Sequence, residues 1–595
     1  MRKVTCTCSL AAELFWVHEK NKFYAGIYCG SVFTQAHRFW FKALKATLTH
    51  KLNNSIKKDI VKYKYKKMNL LHTFLAQTDF STYEDFEKNF KLKVPENFNF
   101  AFDVVDFYAE HSPDQRALVW CNDAGETKQF TFKELSDFSK IAADFLIQKS
   151  INAGDVVMLS LHRRYEYWIF ILALHRLGAV AFPVSSQLTS SDIQQRSSLC
   201  KARLFINQDF LKKEWEPFVN AHSDLQKSTT SIPRPQISVE DPMLLYYTSG
   251  TEGDPKPVIH NWLYPLAHII TAKYWQKTYD GGLHYSVAET GWAKASWGKI
   301  YGQWICGAAV FVYDRQGFNP QSILQKLSDY GVNTFCAPPV IYRYLVEQDF
   351  SKYDLHALTH CCSAGEALDA HVAQKFYEKS GLKIFEGYGQ TETTLLCANF
   401  DFDNNCCVPS HTFVSSLGKP SPLYKISLVD SNGKKCAPNE TGEVVIDVSK
   451  NHPVGLFTNC NLTLDTTLYH TGDLAYYDND GYFYFIGRKD DIIKSAGFRI
   501  SPHEVEAVIN RHPAVLESAV YSQSDSKRGQ IVVACVVLKD GFEADKKLEQ
   551  ELSDFIRQNT ALYKCPRKIE FVKELAKTYN GKLFRGKKSQ EENVE

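Results

Sequence analysis

The sequence has no surplus of either charge. It holds 69 Lys and Arg against 67 Asp and Glu, a formal net charge of +2, so no global case for nucleic-acid binding follows. Long apolar runs are also missing. The longest, about Trp168 to Val184, is interrupted by His175 and Arg176, and is too short and too polar to span a bilayer. None of the 16 cysteines forms a Cys-x-x-Cys pair, and their spacing is irregular. The adjacent pairs Cys361-Cys362 and Cys406-Cys407 are poor geometry for a disulfide framework. In a chain this long they read as reduced thiols in a cytosol-like compartment. Nothing repeats at a fixed period. No secretory apolar region with a small-residue cleavage site is visible.

What remains is an ordinary globular composition, 44% hydrophobic and 23% charged, in a chain of 595 residues. That length is too great for one core and suggests two to four domains. The near-neutrality hides an asymmetry. Residues 1–67 carry 14 Lys and Arg against Glu13, Glu19 and Asp59, so the remainder is acidic. This segment is aromatic-rich, basic and poorly periodic. One reading is a targeting presequence, which would direct the protein to the mitochondrial matrix. The other, preferred here, is a gene-model extension ahead of a natural start at Met68, with a cytoplasmic protein behind it.

The stretch that organises the chain is Tyr246 to Lys256. An apolar run, Met243 to Tyr247, leads into Thr248, Ser249, Gly250, Thr251, Glu252, Gly253 and Lys256. This reads as a buried strand delivering a polar loop to the end of a sheet. Glycines let backbone N–H groups face a ligand, and the hydroxyls and one lysine complete a phosphate cradle. No Gly-Lys-Ser/Thr closes it, so it is not a Walker A loop. Taken alone, the loop serves equally as a surface turn rich in Gly and Thr.

Elsewhere strands alternate with helices. Ala117–Trp120 and Lys128–Thr131 read as a hairpin about Asp123-Ala124-Gly125. Helical spacing runs from Phe132 to Lys149 and from Tyr165 to Leu177, with strand-like Val156–Leu161 and Ala179–Pro183 between and after. The alternation argues for an α/β domain with a largely parallel sheet. Trp262, Tyr264, Tyr274, Trp275, Trp297 and Trp304 read as core. Trp292, in Gly291-Trp292-Ala293-Lys294, reads instead as the wall of an apolar pocket.

Two further segments are site candidates, the first of them at a carboxyl end of the sheet, where ligands bind in open α/β sheets. Gly387-Tyr388-Gly389-Gln390-Thr391-Glu392-Thr393 follows strand-like Leu382–Phe385 and, taken alone, reads more readily as a tyrosine-bearing turn with a solvent-facing glutamate than as a site. Tyr388 would offer a flat face for a base, Thr391 a hydroxyl for phosphate and Glu392 a hard oxygen for Mg²⁺. In Tyr469-His470-Thr471-Gly472-Asp473, a Thr-Gly turn would hold Asp473 for two ribose hydroxyls, or it would be a plain Asx-type turn. Gly487 to Ile500 breaks a strand with charges, and Pro502 with Glu504 and Glu506 opens a helix, a good domain junction. Strand-like Ser518–Tyr521 and Ile531–Leu538 with a helix over Leu548–Ile556 make a small α+β domain. Its basic end holds Gly581-Lys582, where the glycine lets a lone lysine extend.

These segments, in this order, resemble the adenylate-forming superfamily. Within it the chain looks most similar to the medium-chain acyl-CoA synthetases, through Gly291–Lys294, Gly365-Glu366 and Tyr563–Phe571. The resemblance implies a large multi-subdomain α/β N-terminal domain at 68–487 and a small mobile α+β C-terminal domain at 488–595, hinged at Asp490. It implies an ATP-dependent carboxylic acid:CoA ligase acting on medium-chain fatty or aryl acids, with Mg²⁺ and CoA. ATP phosphates would meet Thr248, Ser249, Gly250, Thr251, Glu252, Gly253 and Lys256. Glu386, Gly387, Tyr388, Gly389, Gln390 and Thr391 would take the base side, Asp473 and Arg488 the ribose, and Glu392 the metal. Lys582 would compensate charge at the reacting phosphate, with Thr251 and Glu392 catalytic beside it. Gln187, Ala496, Gly497, Phe498, Arg528 and Tyr563 would contact CoA, and Trp292, Gly365 and Arg499 the acid. The chain departs from the pattern at Glu252, in a shortened Gly455–Leu468, and at Ala576 and Asn580. Two other readings stand beside the ligase: adenylation with another acyl acceptor, and a degenerate nucleotide-binding homologue.

Overall fold

The apolar run at 243–247 becomes the strand Pro242–Thr248, buried from Met243 to Tyr246. The strand opens no helix. Its partner is the antiparallel strand Lys256–Asn261, with Thr248 opposite Lys256. The polar loop therefore joins the two strands of a hairpin. The computed structural model describes residues 13–19, 22–28, 70–221, 231–248, 255–402, 416–449, 453–458, 467–525 and 527–576. Ser249, Gly250, Thr251, Glu252, Gly253 and Lys582 lie outside these residues, as do Cys406-Cys407 and most of the shortened stretch before Leu468.

The chain divides into two compact units, Met1–Asn69 and Leu70–Glu595. In the first, Glu13–Glu19 and Lys22–Tyr28 pair antiparallel, although the sequence there showed no period. Among the described residues the second unit holds four sheets. One has five strands in the order Leu204–Asn207, Val156–Ser160, Val180–Pro183, Pro242–Thr248, Lys256–Asn261, parallel but for its last strand. Another has nine. Its parallel centre runs Ile384–Gly389, His360–Ala364, Thr334–Cys336, Leu283–Ser286, Ala309–Asp314, Arg116–Asn122. The predicted hairpin strand Thr127–Thr131 closes one edge, and Leu395–Ala398 with Lys419–Pro420 the other, all antiparallel.

The main core lies between these two sheets and takes side chains from both. Helix Glu166–Leu177 crosses it and is buried on nearly every face, which is why its sequence reads as an apolar run. Arg176 within it is fully buried, and its guanidinium donates to both Asp106 oxygens at 2.8 and 2.6 Å. Burial alone would raise the Asp106 carboxyl. The Arg176 hydrogen bonds and charge outweigh that and hold it below the usual carboxylate value. Trp262, Trp275, Trp297 and Trp304 are buried here, as their sequence context predicts. The outer face of the nine-stranded sheet packs a second core with Ile323, Leu327, Tyr342, Val372 and Phe376 from helices Pro320–Asp329, Pro339–Leu345 and Ala370–Ser380.

A four-stranded antiparallel sheet follows, Ile426–Val429, Gly442–Asp447, Leu468–Tyr477, Phe483–Arg488. The last sheet centres on Val515–Asp525 and Gly529–Leu538 and has its own core with helices Pro502–Ile509 and Lys546–Asn559. Ser501 caps the first of these helices and Pro502 opens it, as the junction chemistry predicts. Ion pairs of 3.9 Å (Arg343–Glu517) and 3.8 Å (Lys539–Glu347) join this part to the large domain. Among the described residues no helix is long and apolar enough to cross a membrane.

Candidate active site

Strand Ile384–Gly389 and strand Leu468–Tyr477 belong to different sheets, yet their ends face one cleft of about 1120 Å³. The cleft takes one wall from the hairpin residues Thr248 and Lys256 and another from Trp292, Ala293 and Gly365. The C-terminal domain supplies Pro502, His503, Glu506, Asn510 and Arg511. Of the residues assigned from sequence, Thr248, Lys256, Glu386, Gly387, Tyr388, Gly389, Gln390, Thr391, Glu392, Asp473, Arg488, Trp292, Gly365 and Asp490 all line it. They come from positions as distant in sequence as 248 and 490, and the fold brings them together.

Two local expectations change. Gly387 to Gly389 are strand, not loop, because they pair with Leu395–Ala398 across a register shift at Tyr388/Gly389. The glycine at 389 serves packing. A Cβ there would lie 2.2 Å from the Thr394 carbonyl oxygen and 2.6 Å from the Trp297 ring. Asp473 likewise sits in a strand rather than a turn, and its cross-strand partner is Arg488. Thr471 Oγ1 still accepts from the Asp473 backbone N–H at 3.1 Å, the part of the turn reading that survives.

Asp473 is the electrostatic centre. It is 4% exposed. Arg488 donates to Oδ1 at 3.0 Å. Oδ2 accepts from the Tyr388 hydroxyl at 2.6 Å and from Gln390 Nε2 at 2.7 Å. Gln390 also donates to the Thr471 carbonyl at 2.8 Å and accepts from the Tyr469 hydroxyl at 3.3 Å. Burial would lower the Arg488 guanidinium, but the Asp473 charge and hydrogen bond outweigh it and raise it above its usual value. Burial, reinforced by the Asp473 charge, holds the Tyr388 hydroxyl well above its ordinary range. A carboxylate has about four lone-pair directions. Three are filled, which leaves room for a ligand hydroxyl.

Other groups fix the walls. The Leu368 N–H donates to Glu386 Oε1 at 2.7 Å, so this buried carboxylate holds the turn after Gly365. Lys294 donates to the Ala364 carbonyl at 3.1 Å and lies in the space a Cβ on Gly365 would need. The Trp292 indole N–H donates to Glu289 at 3.1 Å, and Glu289 also accepts from Ser185 and Ser186. Sequence reading missed Glu289, and it missed Glu443. Glu443 lines the cleft, accepts the Gly472 N–H at 3.2 Å and Lys489 at 2.9 Å, and faces His470 at 3.2 Å. Burial pushes its carboxyl up, but Lys489 and His470 outweigh this and hold it below its usual value. Both glutamates sit in unremarkable sequence, and only partners distant in the chain mark them.

The residues assigned to CoA lie apart from this cleft. Ala496 and Gly497 turn the hairpin Ile493–Ser495/Phe498–Ile500. The Ala496 N–H donates to the Arg528 carbonyl at 3.0 Å. The rings of Phe498 and Tyr563 stack at 4.4 Å, and both are exposed. Arg499 is exposed on the same hairpin. Gln187 follows Ser185, which lines the cleft, but does not line it itself.

Glu392 lines the cleft beside Thr391. Among the described residues no cluster of three or more His, Cys, Asp or Glu could hold a metal alone. That donor set fits Mg²⁺, which binds through one or two carboxylates together with substrate phosphates.

Comparison with known proteins gives the family. Residues 105–451 match the model of the AMP-binding enzymes, and residues 504–582 match that of the AMP-binding enzyme C-terminal domain. The chain is 38% identical over 544 residues to the acyl-coenzyme A synthetase ACSM3, mitochondrial, of Homo sapiens, covering 85% of this chain and 92% of that protein. It is 37% identical to the acyl-coenzyme A synthetase ACSM5, mitochondrial, of Rattus norvegicus, over 84% of this chain and 91% of the other. Among solved structures, the anthranilate CoA ligase AuaEII in complex with anthranoyl-AMP superposes with a TM-score of 0.72 at 27% identity. That match covers 82% of this chain and 96% of the other. An acyl-CoA synthetase of Brucella canis gives a TM-score of 0.62 at 27% identity, covering 82% and 92%.

Proposed function

The chain belongs to the family of AMP-binding enzymes, and we propose that its reaction is the ATP-dependent ligation of a carboxylic acid to CoA, on medium-chain fatty or aryl acids. The observation that carries this is the Asp473 cluster. A nearly buried carboxylate is held by Arg488, Tyr388 and Gln390 on the wall of a cleft that both domains line.

In the first half-reaction an oxygen of the substrate carboxylate bonds to the α-phosphorus of ATP. The bond from that phosphorus to the pyrophosphate oxygen breaks, giving acyl-AMP and pyrophosphate. No general base is required, since a carboxylate is ionised near neutral pH. Asp473 and Arg488 are assigned the ribose, one hydroxyl of which takes the open lone pair of Asp473. Thr248 and Lys256, with the loop 249–253 between them, are assigned the leaving phosphates. Mg²⁺ held by Glu392 and the phosphates would supply charge neutralisation. Lys582 is assigned the charge that develops at the α-phosphate. In the second half-reaction the CoA thiolate sulfur bonds to the acyl carbon, the bond from that carbon to the AMP phosphate oxygen breaks, and AMP leaves. For that step the small domain turns about Asp490, withdrawing Lys582 and bringing the Ala496–Phe498 hairpin to the cleft. The exposed, stacked Phe498 and Tyr563, with Arg528, Gln187 and Arg499, then meet CoA and the acid. What supports this assignment is that Phe498 stacks on Tyr563 and the Ala496 N–H bonds the Arg528 carbonyl, a cluster of the small domain outside the cleft lining.

The 14 basic residues of 1–67 against three acidic ones fit a presequence, and the relatives' names place those proteins in mitochondria. Both support a mitochondrial location for this chain, the matrix if residues 1–67 are a presequence.

Acid-dependent ATP–pyrophosphate exchange, run with and without CoA, tests the reaction. Exchange with thioester formation when CoA is added is expected. Exchange without any thioester would mean another acyl acceptor, and no exchange with any short, medium-chain or aromatic acid would mean a non-catalytic homologue. Lys582→Ala should cripple exchange yet largely spare the conversion of supplied acyl-AMP to thioester. Equal loss of both steps would rule out the two-conformation assignment.

A further inference from the structure

Trp292 lines the cleft, and its backbone is fixed from several sides. Its N–H closes a turn onto the Glu289 carbonyl at 3.3 Å. The Thr290 hydroxyl donates to the His162 carbonyl. Gly291 lies so close to Val184 and Ser185 that a Cβ on it would stand 2.4 Å from the Ser185 backbone nitrogen. Trp292 then takes the N-cap position of helix Ala293–Gly298. With the backbone held, the side-chain torsions decide where the indole stands in the cleft.

Glu289 acts on those torsions. It is 9% exposed, and its carboxylate takes four donors. Oε2 accepts from the Trp292 indole N–H at 3.1 Å and from the Ser185 hydroxyl at 3.2 Å. Oε1 accepts from the Ser186 hydroxyl at 3.1 Å and from the Ser186 backbone N–H at 3.3 Å. A charge so nearly buried is costly to keep. The donors give the reason for it. A carboxylate has about four acceptor directions, and an amide oxygen has two. Glu289 thus bolts the edge of the indole to Ser185 and Ser186, just beyond strand Val180–Pro183. Ser185, like Trp292, lines the cleft. The bolt therefore joins two parts of its wall.

We propose that Glu289 is a positioning residue that sets the length of acid accepted: by pinning the Trp292 indole it gives the acid site a wall at fixed depth. This rests on the ligase reading above and deepens it at the same site. A pinned ring admits the acid that just reaches it and excludes longer ones. A ring released from Glu289 turns to its other staggered positions, so longer acids fit and the best acid loses contact. The nucleotide end is untouched, because none of the Glu289 partners belongs to the Asp473 cluster.

The test is a series of straight-chain monocarboxylic acids of increasing length in ATP–pyrophosphate exchange, using the full-length enzyme, Glu289→Met and Glu289→Gln. Methionine keeps the length of the side chain and removes its acceptor oxygens. In Glu289→Met the kcat/KM ratio between the best acid and its longer neighbours should fall about threefold to tenfold, the worth of one hydrogen bond. The KM for ATP should stay unchanged. Glu289→Gln should restore most of the ratio, because its one oxygen can still face the indole. A merely structural carboxylate would slow every acid by the same factor and leave the length profile as sharp as before, which would overturn the proposal. So would a wild type that takes all lengths equally, a result that needs no variant to fold. Should Glu289→Met fail to fold, Trp292→Phe decides, since it removes the N–H and keeps a ring. A broadened profile is expected, and an optimum moved to longer acids but equally sharp would overturn the proposal. A profile that stays sharp in the variants leaves the ligase reading standing, whereas no exchange with any acid removes both.

Discussion

Three donors converge on the two oxygens of Asp473: Arg488 on one, Tyr388 and Gln390 on the other. An amide offers one acceptor oxygen and an NH₂ that can only donate. Asp473→Asn therefore sets the new NH₂ against at least one of these donors, in a site that is nearly buried. The fold should survive, since Arg488 is partly exposed and also bonds the Thr471 carbonyl at 3.1 Å. ATP binding should weaken by roughly tenfold to a hundredfold, the cost of a charged hydrogen bond of about 1.5–3 kcal/mol. Calorimetric titration with ATP checks it, and an unchanged affinity would detach Asp473 from the nucleotide. Tyr388→Phe should weaken ATP binding less, because Gln390 still holds the same oxygen. At this scale Asp473 and Tyr388 were legible as candidates by residue type, while Arg488 was picked out only through the family resemblance. That the Tyr388 hydroxyl is turned to Asp473 was not legible, because 85 residues separate the two.

A strand that carries two glycines in three residues breaks the usual sequence pattern for strands, which favours β-branched and aromatic residues. That is why Gly387-Tyr388-Gly389 reads as loop. The structure gives the reason they are tolerated. Trp275 packs where a Gly387 Cβ would stand, and Trp297 where a Gly389 Cβ would. The indoles supply the packing that the strand's own side chains lack. Gly389→Ala would put a methyl 2.2 Å from the Thr394 carbonyl oxygen, a backbone atom that cannot swing aside. Overpacking of this kind costs about 1–3 kcal/mol. The variant should show a lowered thermal midpoint together with reduced exchange activity, because the displaced strand carries Tyr388 and Gln390. Normal stability with normal activity would show that the element yields where the close packing says it cannot. The alternating β and α elements around it were readable, since their periods are local. Which tryptophan backs which glycine is set by two sheets and a helix layer meeting, and no local pattern records that.

The molecule as a whole buries histidine on a scale its composition does not announce. His175, His284 and His360 lie in or beside the core between the two large sheets, together with His268. Burial brings His175 and His284 down to about 3, and burial brings His360 down to about 4 despite its bond to the Trp275 carbonyl. His268 is likewise driven well below its usual value by burial. In the unfolded chain each would titrate near 6.5. Between pH 6.5 and 4 the unfolded chain therefore binds protons that the folded chain refuses. Stability must then rise with pH across that window and fall as the pH drops. Above 6.5 both states are neutral and the contribution is fully present. Below it each histidine removes up to about 1.4 kcal/mol per pH unit until its folded value is reached. Loss of structure on acidification should begin near pH 6, well above the range in which carboxylates alone would act. Thermal midpoints measured from pH 7.5 to 4.5 should decline from that point, with proton uptake on unfolding at pH 5.5. Replacing His284, whose Nδ1 faces Thr334 Oγ1 at 2.7 Å, by Gln should flatten the decline by about one proton's share. A midpoint level down to pH 5 would mean these rings keep their protons in the fold, and that the polar atoms left without partners at His175, His268 and His284 have found acceptors when charged.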